Sequence, residues 1–166
     1  MHKRWAMLTR DKERRGHLRD AWQAYGDARV QARGRESYQL LNWLALGFLL
    51  KKQPRPELIA LAQNELTLAR QKNDSPGDRT FWDRVGVPDA LLHVALFEGT
   101  LNQSKVIDGI DDAYVNALAT GPSARERASA RDHIVFLAEM LPDPALKLKM
   151  AAIPSAELQR LVERLR

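Results

Sequence analysis

Apolar residues recur along most of this chain at intervals of three and four, the spacing that gathers them on one face of a helix, and no alternating run is long enough to predict a strand. Punctuation divides the pattern. Helices over 2–12 and 17–33 form a first hairpin, broken at Arg15-Gly16, where glycine can take the left-handed conformation of a tight turn. A second pair covers 36–52 and 57–72, with Pro54 and Pro56 between them. After the loop 73–78, Thr80 and Asp83 cap a short helical turn, and Gly86-Val87-Pro88 ends it. A third pair covers 89–101 and 105–120. Gly121-Pro122 stops it, Ser123 and Glu126 form a capping box, and a long helix follows over 124–141. Asp143-Pro144 and Pro154 each start a shorter helix.

Trp5, Leu8, Gly16, Ala21, Tyr25 and Ala28 are echoed by Trp43, Leu46, Gly47, Ala62, Leu66 and Ala69. A large residue opens each pair, small residues stand where the second helix crosses, and an aromatic or Leu fills the space before the next pair. The expected fold is therefore all-α: a superhelix of about three hairpins (2–33, 36–72, 89–120) with a C-terminal helical cap over 123–166. Trp5 and Trp43 are expected in the core. Trp22 is less constrained, and Trp82 falls at an irregular packing corner.

Length changes this picture little, since 166 residues suffice for one domain with a continuous core. Cysteine is absent, which excludes disulfides, thiolate zinc sites and a cysteine nucleophile, and permits a reducing compartment; a cytoplasmic location is expected. The longest apolar stretch, 40–50, is interrupted by Asn42 and is far short of the ~20 residues a membrane helix needs. Charge is uneven. Residues 1–35 hold ten Lys or Arg against four Asp or Glu, and the rest are nearly neutral. Such an end can attract nucleic acid, an anionic surface or an acidic partner; a solvated helix face explains it equally simply.

Candidate chemistry is sparse. His2, His17, His93 and His133 show no metal-ligand spacing, and no phosphate loop or nucleophile motif is present. Asp108, Asp111 and Asp112 are the densest carboxylates, with Asp108 and Asp112 one turn apart, and read as a solvated helix surface rather than a metal site. No catalytic residue, metal site or cofactor is expected.

These residues resemble the tetratricopeptide repeat family, whose hairpins of about 34 residues open on a Trp-x-x-Leu-Gly-like motif. Trp5, Leu8, Gly16, Ala21, Tyr25 and Ala28 match in register, and Ala113-Tyr114-Val115-Asn116-Ala117-Leu118 before Gly121-Pro122 is similar to the end of a repeat. The repeats are degenerate: Thr9 and Arg33 depart from the pattern, Glu98 stands where a small residue belongs, and the middle unit needs insertions. The neighbourhood of Trp82 and the segment 89–141 also resemble the repeat region of bacterial signalling proteins that carry caspase-like or other effector domains. The resemblance implies a protein-interaction or sensor scaffold, part of a larger protein, whose first helices line a concave groove for a partner's peptide or helix. In this sequence the implied groove residues are Lys3, Ala6, Arg10 and Arg14, then Leu41, Leu44, Phe48 and Lys51. Basic at one end and apolar in the middle, it suits an acidic amphipathic segment. A nucleic-acid adaptor is the alternative. A third reading is a structural segment packed against its own parent chain. The apolar residues of the first hairpin also predict a homodimer through that end.

Overall fold

The computed structural model describes residues 1–31, 37–77, 80–150 and 152–166. Among them are eight α-helices and no strand: α1 (His2–Leu8), α2 (Asp11–Gln31), α3 (Ser37–Leu50), α4 (Arg55–Asp74), α5 (Phe81–Glu98), α6 (Ser104–Leu118), α7 (Ala124–Met140) and α8 (Ser155–Arg164), with a 3-10 turn at Pro144–Leu146 before α8. The expected helix end at Arg33, helix start at Glu36 and loop residue Asp78 lie outside the described residues. No helix among those described is long and apolar enough to cross a membrane.

Local chemistry sets several boundaries. Thr80 Oγ1 accepts the Asp83 amide while the Asp83 carboxylate accepts the Thr80 amide, and Ser123 and Glu126 exchange the same pair of bonds. Gly99, at φ 76°, ends α5 in the left-handed conformation that costs glycine least. Pro88 does not start a helix, as the sequence suggests; it lies inside α5, which runs unbroken from the Thr80 cap. A proline there removes one amide donor but leaves the helix continuous.

The first turn also departs from expectation. Gly16 is inside α2, and the chain reverses at Thr9 and Arg10 instead, with Asp11 at φ 49°. Arg14 fixes this reversal: its Nε donates to the carbonyls of Ala6 at 2.9 Å and Thr9 at 2.8 Å, and its Nη1 meets Asp143 Oδ2 at 2.6 Å.

The helix α3 is apolar on almost every side, which marks a buried helix rather than an amphipathic one, and its residues from Leu41 to Leu49 are buried except Trp43. Around it, α2 packs on α3, α4 on α5 and α5 on α6, while α7 returns to meet α1, and α8 bridges α6 and α7. Trp22 and Trp43 stack at 5.9 Å between α2 and α3, where Gly26 gives the Trp43 indole room. Trp5 is not core: it is 50% exposed, and Leu8 is 79% exposed, because α1 turns Ala6 inward and leaves those two on its outer side. The predicted layer of Trp5, Leu8 and Ala21 is therefore not formed, although Ala21 and Ala62 are buried as expected.

The acidic cluster is a structural joint. Asp111 is buried on α6 and receives Arg160 Nη2 at 2.9 Å and Arg164 Nε at 2.7 Å, while Asp108 takes Arg160 Nη1 at 2.7 Å. Hydrogen bonds from Arg164, then from Arg160, hold the Asp111 carboxyl down at about 2, so α8 is docked through charge-assisted bonds.

Candidate functional site

Two pockets that share Lys51 open where the ends of α2, α3 and α4 meet the segment after α7. The first, about 400 Å³, is lined by Leu49, Leu50 and Leu146 together with Arg15, Arg19, Lys51 and Lys52. The second, about 560 Å³, is walled by Phe48, Leu58 and Leu148, with Arg55 and Lys149 beside Lys51. Among the described residues, no Asp or Glu lines either one. Six cations thus surround the two hollows, the first mainly polar and the second mainly apolar, an arrangement suited to a ligand with an apolar anchor and negative charge.

The helix ends position these cations. The helix α3 terminates with Lys51 at φ 54°, its amide bonded to the Phe48 carbonyl at 3.1 Å and the Lys52 amide to that of Gly47 at 2.8 Å. Arg15 Nη2 donates to the Ala145 carbonyl at 2.5 Å and Lys51 Nζ to that of Lys147 at 2.5 Å, so both clamp the later segment. The Lys52 ammonium lies 5.6 Å from the centre of the Trp22 ring and the Arg55 guanidinium 5.7 Å from that of Phe48, within reach of cation–π attraction.

Of the residues assigned to the implied groove, Phe48 and Lys51 meet in the second pocket. The others are elsewhere. Leu44 has no accessible surface, and Leu41 is buried at the edge of a separate recess of about 430 Å³ shared with Tyr38, Trp82 and Asp89. Arg14 is engaged in the first turn, Ala6 is buried, and Arg10 is exposed outside both pockets. Sequence reasoning missed Arg15, Arg19, Lys52, Arg55 and Lys149 as a group. The basic excess before residue 36 pointed to the first two, and nothing local links them to Arg55 and Lys149.

Lys3 belongs to a buried polar chain. Its Nζ donates to Asn42 Oδ1 at 2.6 Å and to His133 Nδ1 at 3.0 Å, and lies 4.4 Å from the centre of the Phe136 ring. His133 Nε2 meets His93 Nε2 at 3.1 Å, His93 Nδ1 meets the Asp89 carbonyl at 2.7 Å, and Tyr114 donates its hydroxyl to Asp89 Oδ1 at 2.6 Å.

One acceptor fixes every proton in the chain. A carbonyl only accepts, so His93 carries its hydrogen on Nδ1; its bare Nε2 then receives the Nε2 hydrogen of His133, whose bare Nδ1 receives Lys3. Both imidazoles must be neutral for this pattern. Burial supplies that condition, taking His93 down to about 4 and His133 well below its ordinary value. Burial also lowers Lys3 to about 7, against the attraction of Asp132 and Asp89, and raises Asp89 to about 7. The chain ties α1, α3, α5, α6 and α7 together with its buried groups paired.

No protein-family model, curated protein or solved structure matches this chain.

Proposed function

We propose that this chain is a non-catalytic helical scaffold, similar in plan to tetratricopeptide repeats, which binds an acidic amphipathic segment of a partner protein across the two pockets joined by Lys51. The observation that carries this reading is the combination of an apolar second pocket with six cations around the pair and, among the described residues, no carboxylate in the lining. A Leu, Phe or Met side chain of the partner fills the second pocket, and its carboxylates meet Arg15, Arg19, Lys52 and Arg55. Guanidinium groups suit this task because they grip carboxylates in paired bonds.

The apolar lining of the second pocket favours a peptide over a nucleic acid, whose affinity comes mainly from phosphate contacts. Titrating the chain with a labelled acidic amphipathic peptide, and separately with a random single-stranded oligonucleotide, tests the choice. We expect the peptide to bind with modest salt dependence and to be weakened by either Arg19→Glu or Leu148→Asp. Six phosphate contacts would instead lose roughly a thousandfold in affinity between 50 and 200 mM salt. Tight oligonucleotide binding with that slope, unaffected by Leu148→Asp, would overturn the peptide reading. Trp22, close to Lys52, supplies an intrinsic fluorescence signal for the same titrations.

A further inference from the structure

On the outer side of the first hairpin, away from the two basic pockets, His2, His17 and Asp20 converge so that one ligand atom of each lies within 4.8 Å of both others. The helix α2 presents His17 and Asp20 one turn apart, and the Thr9 reversal brings His2 of α1 back against them. His2 Nδ1 is 4.0 Å from Asp20 Oδ2, and Glu13 Oε1 stands 3.8 Å from His17 Nε2. The His17 Nδ1 atom is buried and has no hydrogen-bond partner among the described residues. Buried imidazole nitrogens ordinarily find one, so this one lacks what a cation would supply.

We propose that His2, His17 and Asp20 form a binding site for a divalent late transition-metal ion, with Zn²⁺ as its representative. Two imidazoles and one carboxylate are the donor set of such ions and suit Mg²⁺ or Ca²⁺ poorly. Bonds of about 2.0–2.2 Å at tetrahedral angles place ligand atoms about 3.3–3.5 Å apart. The His2–Asp20 pair must close by only about half an ångström to reach that spacing, and both side chains, 48% and 60% exposed, are free to rotate. Water completes the coordination.

The ion acts as a staple. A helix of seven residues has little stability of its own, and α1 is held by what it packs on. Joining His2 to α2 fixes the helix that delivers Lys3 to the buried polar chain.

Calorimetric titration of the full chain with ZnCl₂ in chelator-free buffer tests the site, with MgCl₂ as the contrasting ion. We expect one equivalent of Zn²⁺ to bind and to raise the melting temperature, and MgCl₂ to do neither. Asp20→Asn, an exposed and conservative change, and His17→Ala should each weaken Zn²⁺ binding by at least about tenfold. Unchanged melting of the Asp20→Asn variant without metal establishes that it is folded. Trp5, whose ring centre is 6.1 Å from that of His17, gives an independent readout: Cu²⁺ should quench part of the fluorescence in the parent, and that part should vanish in Trp5→Phe. Sub-stoichiometric Zn²⁺, or affinity retained in His17→Ala, would overturn the assignment.

Discussion

At the scale of single residues, the buried polar chain makes stability depend on pH with opposing signs. Because burial holds His93 near 4 and His133 lower than 6.5, the unfolded chain takes up protons that the folded chain refuses, and acidification from 6.5 toward 4 is destabilising. Asp89 acts the other way. Raised from 3.8 to about 7, it keeps a proton in the folded chain that the unfolded chain releases, so its contribution falls as pH rises through that window. Two imidazoles oppose one carboxyl, and the net slope follows the imidazoles. Lys3, lowered from 10.5 to about 7, adds stability as pH rises between those values, where only the unfolded chain still binds its proton. Asp89→Asn leaves an acceptor for Tyr114 and removes the opposing contribution. We therefore expect urea midpoints that fall between pH 6.5 and 4 in the parent and fall more steeply in Asp89→Asn; a flat parent profile would contradict the assignment.

At the scale of elements, the sequence disclosed what is decided within a few residues. Both capping boxes are present, because a Ser or Thr followed three positions later by an acid satisfies amides regardless of the rest of the fold. Gly16 shows the limit. Glycine between two helical patterns looks the same whether it makes the turn or sits inside a longer helix, and the deciding contact is Arg14 with Asp143, 129 positions away. The substitution Gly16→Ala separates the two cases. Inside α2, with nothing within 4 Å of the added methyl, it should stabilise the protein by about 0.5–1 kcal/mol in thermal or urea melts; in a left-handed turn it would destabilise. Trp5 was illegible for a similar reason, since its spacing suits either face of α1 and Ala6 takes the inner one. Of the two basic pockets, the basic excess and the pair Phe48 and Lys51 were legible in the sequence, while the cations that join them come from segments distant along the chain. The His2, His17 and Asp20 cluster was invisible to motif spacing because its ligands come from two helices.

At the scale of the whole molecule, the exposed side of α1 has a consequence for assembly. Met1, Trp5 and Leu8 are 95%, 50% and 79% exposed and form an apolar margin on the first hairpin. Burying ~400 Å² of such surface corresponds to about 10 kcal/mol before the costs of association are subtracted. We expect a concentration-dependent dimer in sedimentation experiments, run with chelator present so that metal cannot bridge copies, and expect Trp5→Lys to abolish it. A monomer at every concentration would show that this margin is tolerated rather than used.

The pairing of α1 with α7 also sets an order of events during synthesis. Lys3 leaves the ribosome well before His133, which it must meet and which is 130 positions later. At about 5–20 residues per second, the first helix waits about 7–26 seconds for its companion. During that interval α1 can pack on α2, but Lys3 lacks the imidazole that completes its buried pairing. Nascent chains of this protein should therefore keep this lysine incompletely paired until the seventh helix arrives.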